Sequence, residues 1–238
     1  MRRGTTAGRD GGGPSRAGMT GSDPDLGALY DSCRERVVSL VTGLTPDELA
    51  RRVPACPAWT VRDLLGHLTG IAEDAVAGRL SGPPGEDATS AQVAARRDLP
   101  LSTLLGRWAD AAGPFADRVK RHRVWAALID AVTHEHDLRG ALARPGARDS
   151  DGVRAVVPVL LDFALPVRTV IRLEDDEVTL GPEGQTALVL ETDRFDTLRW
   201  RMGRRSRRQM AAMRWSADPA AVIGHLTVFA PAADDIIE

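Results

Sequence analysis

Four segments within the first 145 residues carry apolar side chains at helical spacing, and only short connections separate them. An antiparallel bundle is the fold that buries four such faces at once. The first stripe runs Leu26, Leu29, Tyr30, Cys33, Val37, Leu40, Val41 and Leu44. The second runs Leu64, Leu65, Leu68, Ile71, Ala72 and Ala75, and Thr60 is its N-cap with Asp63 in the partner position of a capping box. A third helix is expected from about Ser102 through Lys120, with Pro114 inside it as a source of a kink. The fourth is "ALIDAVTHEHDLRGAL", Ala127 to Leu142, ending before Arg144-Pro145-Gly146. Between these, "TPDE" at Thr45 to Glu48 predicts a short capped helix, "VPACPAW" a rigid proline-pinned link, and "SGPPGEDATS" a loop.

The texture changes after Asp149. Val153 to Leu165 reads as a helix, "VRTVIRLEDDEVTLGPEG" as a hairpin and "TALVLET" as a third strand. "DRFDTLRWRMG" and "RRSRRQMAAM" read as helices, and "MRWSADPAAVIGHLTVF" as a strand turning into a closing helix. This is an α+β unit. The division is therefore a Gly/Ser/Arg tail over 1–23, expected to be disordered, a helical bundle over 24–148 and an α+β domain over 149–238. The basic start has no apolar core of a secretory signal, and Met19 offers a second start.

Composition narrows the function classes. A net charge of −2 argues against nucleic acid as a partner, and no apolar run reaches the length of a membrane span. Two cysteines, Cys33 and Cys56, stand in no metal-type spacing, which makes a reducing cytoplasm the default location. Lys120 is the only lysine among many arginines, a usage that fits a GC-rich, actinobacterial genome.

The fourth helix poses the chemical question, because Asp130, His134, His136 and Asp137 sit among its core residues. At about 100° per residue, Asp130, His134 and Asp137 share a face. Glu135 and Arg139 lie nearly opposite, at the spacing of a solvent salt pair. That pair marks the outside and turns Asp130, His134 and Asp137 inward; His136 is placed at the surface or boundary. A buried carboxylate and imidazole one turn apart are costly unless paired or metal-bound. D-x-x-x-H suits two ligands of one metal, and a hydrogen-bonded core pair equally. Asp137 stands where it can accept from a ring nitrogen. His67, at the edge of the second stripe, is the best third ligand, with Asp63 and Asp74 on the same side of its helix. His122 lies in a basic loop and His225 in the second domain. The arginine run "RWRMGRRSRRQM" is either a solvated helix face or the source of one arginine for an anionic substrate. The five tryptophans are expected as core or hinge anchors.

"VPACPAWTVRDLLGHLTG" resembles the signature of the mycothiol-dependent maleylpyruvate isomerase family, with its Pro-x-Trp-Thr-Val-x-Asp-Leu core and following histidine. "DAVTHEHDLRGAL" resembles the second signature of that family, and "ETDRFDTLRWRMGRRSRRQM" followed by "MRW" its C-terminal segment. The resemblance implies an α plus α/β fold: a DinB-like four-helix bundle, then a small domain similar to sterol carrier proteins. It implies zinc held by His67, Asp130 and His134, with Asp130 standing where the best-known pattern has Glu. It implies an active-site arginine, matched by Arg204 and Arg205. The expected function is a zinc-dependent, mycothiol-using transferase or isomerase acting on a small electrophilic, maleylpyruvate-like substrate; the alternative is a non-catalytic DinB-like metal- or ligand-binding protein with a stress or regulatory role. The expected partners are that electrophile and a low-molecular-weight thiol, with no nucleic acid and no membrane, for a monomer or homodimer.

Overall fold

The computed structural model describes residues 23–184 and 186–238. The tail expected before Pro24, and with it Met19, lies outside the described residues apart from Asp23. The chain opens with α1 (Leu26–Val41) and α2 (Pro46–Leu49), then a ribbon of β1 (Arg52–Val53) and β2 (Cys56–Thr60). Next come α3 (Val61–Val76), α4 (Glu86–Ala94), α5 (Leu101–His122) and α6 (Trp125–Leu142). The second half holds α7 (Asp151–Leu160), β3 (Thr169–Arg172), β4 (Glu177–Leu180), β5 (Leu188–Glu191), α8 (Arg194–Arg201), α9 (Arg207–Ala211), β6 (Arg214–Trp215) and α10 (Ala220–Ile223). None of the described helices is long and apolar enough to cross a membrane.

The long helices α1, α3, α5 and α6 form the bundle. The α1 stripe is buried through Leu26, Tyr30, Cys33, Val37 and Val41, and the α3 stripe through Leu64, Leu65, Leu68 and Ala72. Each such leucine or valine removed from water contributes on the order of 1.5–3 kcal/mol. Trp108 of α5 is fully buried and donates from Nε1 to the Tyr30 hydroxyl at 2.9 Å, which satisfies its only polar atom. Gly27 lets α1 lie on α5, since a Cβ there would stand 2.5 Å from the Ala116 carbonyl oxygen. The helix α5 continues through Pro114. Both capping boxes form: Thr45 with Glu48 at α2, and Thr60 with Asp63 at α3.

Two connections differ from expectation. The proline-pinned link is a short antiparallel ribbon, β1 against β2, with Val53 opposite Cys56. Part of the segment expected as a loop is α4, whose Gln92, with Arg96 just beyond its end, covers α3 at Gly70; the two bond to Asp74 and Glu73. The glycines and prolines of "SGPPG" dominate a local reading, and the helix behind them is held by the Gln92–Asp74 hydrogen bond and the Arg96–Glu73 ion pair just after it.

Beyond α7 a four-stranded sheet has the order β4-β3-β5-β6. The β3–β4 hairpin is antiparallel, β5 runs parallel to β3, and β6 is antiparallel to β5. The expected closing helix is only α10, ending at Ile223. The helix α7 packs on both α6 and α8, so α6 is covered on two sides.

Candidate metal centre

The cluster is built from four elements. His67 comes from the middle of α3, Asp130, His134 and Asp137 from α6, Trp59 and Cys56 from β2, and Arg204 from the turn between α8 and α9. Because Thr60 both ends β2 and caps α3, the ribbon is fixed about two turns from His67, and Trp59 lies over it. The Trp59 ring lies 5.1 Å from the His67 ring and 6.1 Å from the His134 ring.

His67 Nε2 stands 3.4 Å from Asp130 Oδ2, and His134 Nε2 stands 3.4 Å from Asp130 Oδ1. One ligand atom from each of the three residues lies within 4.8 Å of the others. Ligands tetrahedrally placed around zinc at 2.0–2.2 Å are separated by about 3.3–3.6 Å, and each ring stands at that spacing from one Asp130 oxygen, so the donor set is compatible with such an ion. The aspartate, shorter than the glutamate of the family pattern, still reaches both rings. His67 and His134 are buried, and Asp130 is about one-third exposed, leaving one open side.

The imidazoles and carboxylates of the cluster stabilise one another's charges. Burial opposes ionisation of His134, but Asp130 and Asp137 outweigh it and hold its pKa well above the usual value. Burial also opposes the Asp130 charge, and the two imidazoles overcome it and keep the carboxyl far below its usual range. His134 Nδ1 lies 2.9 Å from Asp137 Oδ2. Burial raises the Asp137 carboxyl, but Arg204 and Arg199 outweigh that and keep it ionised. An ionised Asp137 only accepts, so Nδ1 is the donor and Nε2 is the atom turned to Asp130. His67 Nδ1 is buried with no protein partner.

Of the two arginines singled out in the sequence, Arg204 is brought to the cluster and Arg205 is not. Arg204 donates to Asp137 from Nε at 3.3 Å and Nη2 at 2.9 Å, and its Nη2 lies 3.8 Å from Cys56 Sγ. Gly203, at φ 78°, makes this turn possible: a Cβ there would stand 2.5 Å from the Ala230 oxygen, and Arg204 N donates to Arg199 O in a Schellman-type close. Arg205 is engaged by Asp196 and Glu238. Asp63 and Asp74 also stay outside the cluster, held by Thr60 and Arg97 and by Gln92 and Arg79.

Other expectations for α6 are corrected. Glu135 and Arg139 are not an outward pair: Glu135 is fully buried, accepting from Arg36, Arg139 and the Cys33 thiol. His136 is buried against Phe195, and burial, with Arg199 and Arg139 against the pull of Glu135, pushes its pKa down to about 4. The causes lie outside the helix: α1 brings Arg36 and Cys33 onto Glu135, and Phe195 of the second half covers His136, neither of which periodicity within the helix reveals. The arginine run is likewise split, with Arg199 fully buried and Arg208 exposed. Cys56 and Arg199 are site residues that spacing missed. Cys56 forms a second convergent group with His134 and Asp137, but two guanidiniums already neutralise Asp137, which makes that position unfavourable for a cation.

A helical bundle with an inward His–carboxylate cluster, closed by an α+β unit, is the DinB-like class of protein. The family model described as the mycothiol maleylpyruvate isomerase N-terminal domain matches residues 30–149, about half of the sequence, and the chain belongs to that family. Two solved structures share the fold. One is a histidine-to-alanine mutant of the mycothiol-dependent maleylpyruvate isomerase (TM-score 0.53), the other that isomerase itself (TM-score 0.50). Each is 14% identical, over 76% of this chain and 88% of the other. A search of curated proteins gave no match.

Proposed function

We propose that this protein is a zinc-dependent enzyme using mycothiol as thiol cosubstrate, a transferase or isomerase for a small electrophilic, maleylpyruvate-like substrate. The observation that carries this reading is the placing of His67 and His134 Nε2 at 3.4 Å on either side of Asp130, with an open side toward solvent. The structural neighbours are mycothiol-dependent maleylpyruvate isomerases, which supports the same chemistry. His67, Asp130 and His134 would hold the ion, which supplies an open position where a thiol is deprotonated at neutral pH. Asp137 holds His134 in the tautomer that presents Nε2. Trp59 lies against both ligand rings, restricts their rotation and shields that side from water. Arg204 steadies Asp137 and keeps a positive charge beside Cys56, at the edge where an anionic substrate or thiolate would lie. The proposed division of the chain follows this: ligands from 24–148, and the cation at the edge of the site from 149–238.

Mass spectrometry of zinc-loaded protein with mycothiol and a panel of electrophiles tests the reading. Turnover to a thiol adduct or an isomerised product is expected, and Arg204→Ala should lower it about tenfold or more at normal zinc content. Zinc binding without turnover of any member of the panel would favour the non-catalytic binding protein.

A further inference from the structure

We infer that Glu238 is a positioning residue for the metal centre, acting through Arg199 and Asp137 on His134. The inference rests on the metal-centre reading, and it adds two residues that touch no ligand position. Arg199 of α8 has no exposed surface, so its charge must be neutralised internally. It is met by Asp137 Oδ1 at 2.8 Å on one side and by the Glu238 carboxylate on the other, where Nε donates to Oε2 at 2.9 Å. Its Nη1 donates to the carbonyl of Thr133, the residue preceding His134. Glu238 also accepts from Arg205 at 2.9 Å, and Arg205 donates to Asp196. Charges therefore alternate along Asp196, Arg205, Glu238, Arg199, Asp137 and His134.

The alternation matters at Asp137. That carboxylate already faces two guanidiniums, Arg199 and Arg204, as well as the His134 ring. Glu238 shares the Arg199 charge. Without it, Arg199 would bear on Asp137 alone, and Asp137 would be a weaker acceptor for His134 Nδ1–H. An imidazole whose Nδ1–H is less well accepted is a weaker donor at Nε2. A residue over a hundred positions away in sequence thus tunes the ligand.

The test is the zinc dissociation constant, from competition with a chromophoric chelator, in Glu238→Gln, Glu238→Asp and Gln209→Ala. The last loosens the same segment, since Gln209 holds Ile236 at 2.8 Å, without touching the charge chain. Glu238→Gln should weaken zinc binding about tenfold, the lower end of the range for groups that orient ligands. Glu238→Asp should recover part of that loss, and Gln209→Ala should bind as the parent does. The ring-nitrogen NMR signals of His134 in metal-free protein should move in Glu238→Gln. Unchanged affinity and signals in Glu238→Gln overturn the inference, as does an equal loss in Gln209→Ala, which would make Glu238 a mere anchor. A parent that binds no zinc overturns the metal reading instead, and the metal-free NMR comparison still decides the coupling.

Discussion

Two buried polar clusters sit on consecutive turns of α6 and behave oppositely. Around Glu135, every oxygen is met by a donor: Arg36 forks onto it at 2.7–3.1 Å and Arg139 at 3.0–3.1 Å, with the Cys33 thiol at 3.3 Å. Burial pushes that carboxyl up, but the two guanidiniums overcome it, and Cys33, buried beside Glu135, is pushed well above its usual pKa. The group is closed and its only task is to join α1 to α6. Around Asp130, the Nε2 atoms of His67 and His134 face the two carboxylate oxygens at 3.4 Å, and no arginine among the described residues bonds to it. Each place centres on one carboxylate, but its partners differ: guanidiniums and a thiol at Glu135, imidazoles at Asp130. A cluster complete without a ligand is structural; the Asp130 group, whose polar atoms converge on one partly exposed side, is the candidate for binding.

The sharpest way to break this contrast is to remove a converging donor. His67→Ala and His134→Ala should each lose the single zinc per chain expected of a three-ligand site, with the helical circular dichroism retained. Elemental analysis of purified variants decides it, and full zinc retention in both would place the site elsewhere. Next in size is the closed cluster. Glu135→Gln leaves Arg36 and Arg139 without their buried counter-charge and should cost about 3 kcal/mol in denaturant unfolding, while the folded fraction still binds zinc. A loss of zinc at unchanged stability would reverse the roles assigned to the two turns.

The smallest effect comes from acid. Burial disfavours the charges of Asp63, Glu73 and Asp74, but Thr60, the Arg107–Arg96 pair, and Gln92 with Arg79 overcome it and lower all three carboxyl pKa values. A carboxyl with a folded pKa below its unfolded value contributes stability above the unfolded value, near 4, and loses it as pH falls through the folded one. Melting temperature should therefore fall below about pH 4. A triple Asn/Gln variant at these positions should show a flatter profile there; an identical slope would assign the acid loss to other groups.

Much of the bundle was legible from the chain alone. Stripes such as Leu64, Leu65 and Leu68 follow from helical periodicity, and the caps at Thr45 and Thr60 follow from local hydrogen bonding that needs nothing beyond four residues. The pairing of Asp130 with His134 was legible for the same reason, being one turn apart on one helix. Less visible were α4, held to α3 by the Gln92–Asp74 hydrogen bond and the following Arg96–Glu73 pair, and the depth of Glu135 and His136, which depends on what lies outside α6.

By itself, the sequence determined the helical bundle, the α+β texture after residue 149, and the one-turn spacing that puts Asp130 and His134 side by side. Tertiary structure decided the rest, because it depends on atoms distant along the chain. Only the packing of α1 on α6 closes the donors around Glu135, and only α8, through Phe195, covers His136. Only the left-handed turn at Gly203 aims Arg204 rather than Arg205 at Asp137. Only the fold brings Cys56 of β2 and the Glu238–Arg199 pair to the same imidazole, since burial and charge are sums over neighbours that helical spacing does not contain.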